Sequence, residues 1–444
     1  MCGIHAVISA SQPGDIAADL RRCLCNRGPD HITTHETRLA DGIADGVPAT
    51  HLAFTSSVLA LRGDHIAQQP FVDPETGSVF CWNGEAWKIR HHDVSGNDGE
   101  AIAGLLNEAV RRGLQERETA ILEVLRSIDG PFAFVFFDKS SGKVYYGRDR
   151  LGRRSLVIRE DDHGVVLSSI TGAADPQWRE VEADGIYILD VAKIHLQDQH
   201  HVTTRLEWLE DDGAAEFVSA LLQLVQVLYR DASNTFFQCH PSLMPVLNSQ
   251  QVNIPYSEYS SHKGEVISLI YPHNTEMDLS IASALYFAAR GQGIACADAS
   301  TTASAAYTTA ARVLISGLGA DELFGGYQRH ATAFQRQGYL GLVDELKLDV
   351  SRLGKRNLGR DDRVMSHWGK EVRFPYLDEE LVRWAIRTPV WEKCDFSNPD
   401  GLVEPGKRVL RLLALELGLG KVATEKKRAK PIVYDVWLCE TMKS

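Results

Sequence analysis

Apolar and polar residues alternate through CGIHAVIS, residues 2–9, with β-branched side chains among the apolar positions, and a strand is expected there. A polar, arginine-rich stretch over 15–26 reads as a helix, and helical spacing returns at 99–112 and 117–127. PFAFVFFD, KSSGK and VYYGRD, together residues 131–149, predict two strands around a glycine-containing turn. SLVI, GVVLSS and GIYILD, within 155–190, predict further strands. The first 190 or so residues are therefore strand-rich, and two packed sheets flanked by helices is the arrangement they imply.

The pattern changes after Asp190. Residues 214–228, AAEFVSALLQLVQVL, have helical spacing, whereas 229–250 show no convincing period. EMDLSIASALYFAAR, 276–290, is an amphipathic helix pattern. ARVLISG, 311–317, is a short buried-strand pattern running into a glycine turn, and ADELFGGYQRH then starts a helix. That order places any functional group at the carboxyl end of a sheet strand. The Ala/Thr/Ser-rich stretch 295–311 reads as a surface connection, and no internal repeat is seen.

A chain of 444 residues has room for two domains and even a third. Its formal charge of −12 argues against a nucleic-acid or membrane partner held by bulk charge. No apolar run reaches membrane-spanning length, and the first residues lack the basic and apolar regions of a secretory signal. The eight cysteines are irregularly spaced and do not form a disulfide framework. Cys23 and Cys25 make a C-x-C pair with no second Cys or His pair nearby, so no zinc site is expected from them. A reducing, cytoplasmic setting follows.

Cys2 stands directly behind the initiator methionine. Removal of Met1 is expected in this context and would give one residue both a thiol and a free amine. An α-amine with a pKa near 8 is partly neutral at physiological pH and accepts the thiol proton, so no separate histidine base is needed. The competing reading is a small buried hydrophobe at a strand start.

Three other stretches bear on the choice: NRGPD (26–30), WNGEAW (82–87) and GRDRLGRRSL (147–156). With MCGI they resemble the glutaminase domain of class II glutamine amidotransferases over residues 2–190. The resemblance implies an αββα N-terminal-nucleophile hydrolase fold that uses no cofactor. It implies that Asn83 and Gly84 stabilise the oxyanion, that a glutamyl thioester forms on Cys2, and that water then releases glutamate. It places the glutamine ammonium at Asp98, with Glu85 assisting. For the carboxylate, Arg62 is either the clamp or a surface charge. Arg27 and Arg148 are expected to pin loops through ion pairs.

VLISGLGADELFGGYQRH (313–330) resembles the S-G-x-G-A/S-D-E-x-F-G-G-Y segment of asparagine synthetases. HNTEMDLSIASALYF, NLGRDDRVMSH, EVRFPYLDEELV and KRVLRLLA continue that resemblance, which is nearest to the asparagine synthetase domain-containing proteins. Residues 251–430 then make an α/β, adenine-nucleotide alpha-hydrolase-like synthetase domain. The family's domain binds ATP and Mg²⁺ and adenylates aspartate. By resemblance, Ser316 and Gly317 lie on the ATP side, Asp321 is the Mg²⁺ ligand with Glu322 beside it, and Lys426 or Lys427 neutralises developing charge. Asp321 and Glu322 equally suit the capping of a helix start.

The domain is incomplete. Its pyrophosphate loop, S-G-G-x-D-S, belongs before HNTEMD, yet no glycine lies between Gly213 and Gly264. Without converging backbone N–H groups there is no phosphate cradle. Leu318 stands where the family has an acidic residue. Residues 191–250 thus read as a linker and truncated domain start, and 431–444 as a divergent tail. The expected activity is glutamine hydrolysis at Cys2 without aspartate adenylation, and the synthetase half is expected to expose an unpaired strand edge. A non-catalytic, regulatory pseudo-synthetase is the alternative. An amidotransferase serving a phosphosugar or phosphoribosyl acceptor fits the N-terminal half alone.

Overall fold

The computed structural model describes residues 2–39, 49–161, 164–194, 203–208, 254–296, 304–398, 401–426 and 437–439. The chain divides into two compact units that are not contiguous in sequence. The first joins Met1–Leu209 to Tyr256–Ala289 and Leu353–Val372; the second holds Glu210–Pro255, Arg290–Arg352 and Arg373–Ser444. The helical pattern at 214–228 and the unpatterned 229–250 lie outside the described residues.

Two six-stranded sheets form the first unit. One runs in the order Arg179–Glu180, Val157–Asp161, Gly164–Ser168, Gly3–Ser9, Thr50–Val58, His31–Leu39. The other runs Thr203–Glu207, Gly185–Asp190, Lys143–Arg148, Phe132–Asp138, Val79–Gly84, Phe71–Val72. All pairings are antiparallel, and the expected strands and hairpin are present. The predicted helices at 99–112 and 117–127 span Asp98–Val110 and Leu114–Arg126, and the first helix spans Ala18–Arg27.

The two-residue period decides the layering. Along Phe132–Asp138, Phe132, Phe134 and Phe136 join Ile102, Leu106, Ile121 and Leu125 of the two helices. Ala133, Val135 and Phe137 face the other way and pack with Ile4, Ala6 and Ile8 of the opposite sheet. A strand apolar on every residue from Phe132 to Phe137 is thus buried on both faces, one against helices and one against a sheet. The Ala18–Arg27 helix covers the first sheet from outside, and Gly3 makes that fit: a Cβ there would sit 2.6 Å from Ser57 Oγ and 2.9 Å from Leu24 Cδ2.

A buried polar network backs this layer. Arg27, Arg148, Arg154, Asp362 and Arg363 are all fully buried. Arg27 Nη2 meets Asp362 Oδ2 at 2.9 Å, and the same oxygen accepts the Ser155 N–H at 3.0 Å. Arg148 pairs with Glu180 at 3.3 Å and donates to the Arg154 carbonyl. The expected loop-pinning ion pairs of Arg27 and Arg148 are therefore present, and NLGRDDRVMSH supplies Asp362 as the partner of the first.

In the second unit, Val313–Ile315 pairs antiparallel with Trp437–Cys439. A segment of the tail thus takes up hydrogen-bonding groups that Val313–Ile315 would leave bare, and the open edge passes to Trp437–Cys439. Leu342, Leu346, Val390 and Cys394 make a small core there. Among the described residues, no helix is long and apolar enough to cross a membrane.

Candidate functional site

The strands Gly3–Ser9 and Val79–Gly84 lie in opposite sheets and bring Cys2 to Asn83. The Cys2 N–H donates to Asn83 Oδ1 at 3.0 Å, and both residues are buried. With its carbonyl oxygen so engaged, Asn83 has its amide Nδ2 buried and without a hydrogen-bond partner. Gly84 ends its strand opposite Phe132. A Cβ at Gly84 would lie 2.6 Å from both Phe132 Cβ and the Pro131 oxygen, so only glycine fits this approach.

Burial pushes the Cys2 thiol above its ordinary range, opposed by the Leu59 backbone N–H. Gln69 Nε2 also points at Cys2 Sγ, 3.7 Å away, while Gln69 Oε1 accepts the Trp82 N–H at 2.9 Å. Gln69 was missed by sequence reasoning, since a lone buried glutamine in a loop carries no pattern. Arg27 was read only as architecture, yet its Nε reaches the Cys2 carbonyl at 3.4 Å.

Cys2, Arg62, Gly84, Glu85 and Asp98 line one pocket, together with Gln69 and Glu371. Asn97 caps the helix that begins at Asp98, its side chain accepting the Glu100 N–H. Asp98 is buried, and its Oδ2 accepts Trp82 Nε1–H at 3.0 Å and the Ala86 N–H at 2.8 Å. Burial lifts its carboxyl above the usual range; the Ala86 N–H and the Arg62 charge work against that. Arg62 is half-buried and is held by the Ala86 carbonyl at 2.6 Å and the Val94 carbonyl at 2.5 Å. Of the two readings of Arg62, this placement favours the pocket over a free surface charge. Two of its five N–H donors are engaged by these bonds.

The second unit does not gather its candidates in the same way. Asp321 pairs with Lys407 at 3.0 Å. Glu322 Oε2 accepts the Gly319 N–H at 3.1 Å and Oε1 accepts Tyr327 Oη–H at 2.6 Å. Glu322 thus caps the start of its own helix, and burial raises its carboxyl. Ser316 is tied through its N–H to the Arg373 carbonyl, and Ser316 Oγ accepts the Leu318 N–H. Gly317 accepts the Ala320 N–H as the helix starts. Lys426 is exposed, 3.8 Å from Glu404, and Lys427 lies outside the described residues.

Comparison with known proteins matches two families in succession along the chain. A glutamine amidotransferase domain model matches residues 1–207, and an asparagine synthase model matches 281–347 and 335–443. Asparagine synthetase domain-containing protein 1 of Mus musculus is 42% identical over 622 aligned positions, covering 97% of this chain and 96% of that one. An alignment longer than the 444 residues present leaves stretches of the mouse protein without a counterpart here. Asparagine synthetase B [glutamine-hydrolyzing] of Escherichia coli is 22% identical, over 87% of this chain and 75% of that protein. Among solved structures, glutamine phosphoribosylpyrophosphate amidotransferase from B. subtilis covers 47% of this chain and 50% of its own, at 16% identity and a TM-score of 0.32. A chain that matches a relative over nearly its whole length at 42% identity belongs to the asparagine synthetase domain-containing protein family, with a glutamine amidotransferase domain followed by an asparagine-synthase-like one.

Proposed function

We propose that this chain hydrolyses glutamine to glutamate and ammonia at Cys2, and that it does not adenylate aspartate. The observation that carries the first half is the pairing of Cys2 with Asn83. Asn83 holds the Cys2 nitrogen through Oδ1 and keeps a buried, unpartnered Nδ2 donor.

In this reading Met1 is removed, and the freed amine sits where Asn83 Oδ1 already holds the Cys2 nitrogen. It takes the thiol proton, and Sγ attacks the side-chain carbonyl carbon of glutamine. The C=O electron pair moves onto oxygen, where Asn83 Nδ2–H and the Gly84 N–H stabilise the negative charge. When the C–N bond breaks, the proton passes to the leaving nitrogen and ammonia departs. A thioester remains on Cys2, and water cleaves it to glutamate and the free thiol. Gln69 Nε2–H and the Leu59 N–H steady the sulfur while it is anionic.

The amino-acid end of glutamine fits the rest of the pocket. Both bonds to Asp98 fall on Oδ2, which leaves Oδ1 for the substrate ammonium. Arg62 uses its remaining donors on the carboxylate, and Glu85 lies at the same wall. Asp98→Asn keeps the shape but removes the charge. It is expected to raise KM for glutamine roughly 10–100-fold, equivalent to about 1.5–3 kcal/mol for a charge-assisted hydrogen bond. Asn83→Ala is expected to lower kcat about 10²–10³-fold with a smaller change in KM, because its donor acts on the oxyanion. Steady-state glutamate release measures both. An unchanged kcat in Asn83→Ala would remove the oxyanion assignment.

The second half rests on what the synthetase unit lacks. The family typically uses ATP, but these residues do not fit ATP and Mg²⁺. The S-G-G-x-D-S loop is missing from the sequence, Asp321 is paired with Lys407, and Glu322 caps its own helix. No step is routed through the nucleotide. Glutamine is thus the substrate, and aspartate is not consumed. The described cysteines Cys2, Cys23, Cys25, Cys81 and Cys394 are all free, which supports a reducing, cytoplasmic setting.

A further inference from the structure

We propose that Cys23, Glu265 and His367 form a binding site for one zinc-class divalent cation. Cys23 lies on the Ala18–Arg27 helix, Glu265 on the Tyr256–Ile270 helix, and His367 at the end of the Gly359–Ser366 helix. Their ligand atoms all lie within 4.8 Å of one another. Cys23 Sγ is 3.9 Å from Glu265 Oε1, and His367 Nδ1 is 3.8 Å from the same oxygen. Metal–ligand bonds of about 2.0–2.3 Å at tetrahedral angles put neighbouring ligands about 3.3–3.7 Å apart. Two of the three edges are therefore within a few tenths of an ångström of that geometry.

An independent observation points the same way. His367 is 6% exposed, and its Nδ1 has no hydrogen-bond partner. A buried ring nitrogen left bare beside a carboxylate and a thiol is a ligand position without an explanation in the protein's own bonding. The other ring nitrogen, Nε2, lies 3.3 Å from Asn26 Nδ2; with Nδ1 on the cation Nε2 carries the ring proton, and a half-turn of the Asn26 amide presents Oδ1 to accept it, the outer contact that orients a metal-bound imidazole. The ring is also held against Tyr286 and Trp368. Burial drives the imidazole down to about 4, so it is neutral and able to coordinate. Cys23 is buried as well, and burial with the Glu265 charge pushes its thiol up to about 11, so a cation has to expel that proton on binding.

Sulfur, imidazole and one carboxylate select a borderline-soft ion over Ca²⁺ or Mg²⁺. Three protein ligands leave a fourth position for water. Arg22 currently neutralises Glu265 through a two-point contact at 3.1 and 3.0 Å. Its side chain is 47% exposed and that of Glu265 is 26% exposed, so a cation can reach the carboxylate as the guanidinium swings into solvent. The local C-x-C spacing carries no sign of this site, because its other ligands lie more than 240 residues along the chain.

The test is titration of the full-length, metal-free protein with Co²⁺ alone, followed by absorption. The expected result is a thiolate-to-cobalt charge-transfer band with tetrahedral visible bands, saturating at one equivalent. Cys23→Ser should abolish the charge-transfer band, His367→Gln should weaken binding about 10–100-fold, and Cys25→Ser should leave it intact. Arg22→Ala changes only an exposed competitor for Glu265 and should tighten binding several-fold. The proposal is overturned by the absence of a thiolate band in the unmodified protein, by a band that survives Cys23→Ser, or by weaker binding in Arg22→Ala.

Discussion

Replacing Cys2 by alanine is expected to lower glutamate release from glutamine by on the order of 10³-fold or more, to the rate of the reaction without enzyme. The thiol lost is the group that Gln69 Nε2 approaches at 3.7 Å, on the residue whose backbone N–H is held by Asn83 Oδ1. The fold should tolerate the change, because Cys2 holds Asn83 and Arg27 through its backbone N–H and carbonyl, which alanine keeps. Glutamine should still bind, since Asp98 and Arg62 remain. A retained Met1 is expected to have the same kinetic effect, because it converts the amine that acts as base into an amide. Mass spectrometry of the mature N-terminus read alongside the assay ties activity to the processed form. Loss of glutamate release in the variant, with binding kept, separates an enzyme from a non-catalytic glutamine sensor built on the same pocket.

The second large effect concerns stability. Asp362→Ala is expected to destabilise the protein by about 3–5 kcal/mol, the cost of leaving a buried charge without its partner. Both Arg27 and Asp362 are fully buried, and Arg154 lies 3.9 Å from the other carboxylate oxygen. Removing the acid strands two guanidinium groups and the Ser155 N–H. Against a total stability of roughly 5–15 kcal/mol, that is a large share. Urea unfolding would read it as a lower midpoint. Arg27 also holds the Cys2 carbonyl, so the surviving folded protein should hydrolyse glutamine more slowly. An unchanged midpoint would mean that the network does not carry the load assigned to it.

These two residues also show what can be read along a chain. The pairing of Cys2 with Asn83 was legible because each stands in a short motif whose order repeats a family pattern. The strand at 132–138 was legible because an apolar side chain at every position from Phe132 to Phe137, bounded by a turn, has few other solutions. Asp362 was not legible as the partner of Arg27, since 335 residues separate them and an acid-rich helix start looks like ordinary capping. Gln69 and Glu371 share that fate: they reach the pocket only through the packing of distant segments. Arg62 reads in the sequence either as a carboxylate clamp or as a surface charge, and its bonds to the Ala86 and Val94 carbonyls bring it to the pocket wall. The tail was less legible: it carries no motif of its own, yet it pairs with Val313–Ile315 and falls within the asparagine synthase match that runs to residue 443. Strand pairing needs only backbone groups, so sequence pattern is a weak guide to which segment covers an edge.

One experiment addresses both the proposed glutamine hydrolysis at Cys2 and the proposed loss of aspartate adenylation. Purified protein with a processed N-terminus would be given glutamine carrying heavy nitrogen in its side-chain amide, together with aspartate, ATP and Mg²⁺, and followed by nitrogen NMR. The prediction is that the label leaves glutamine as free ammonia, matched by glutamate, with no labelled asparagine. Labelled asparagine, or glutamine left untouched, would contradict it.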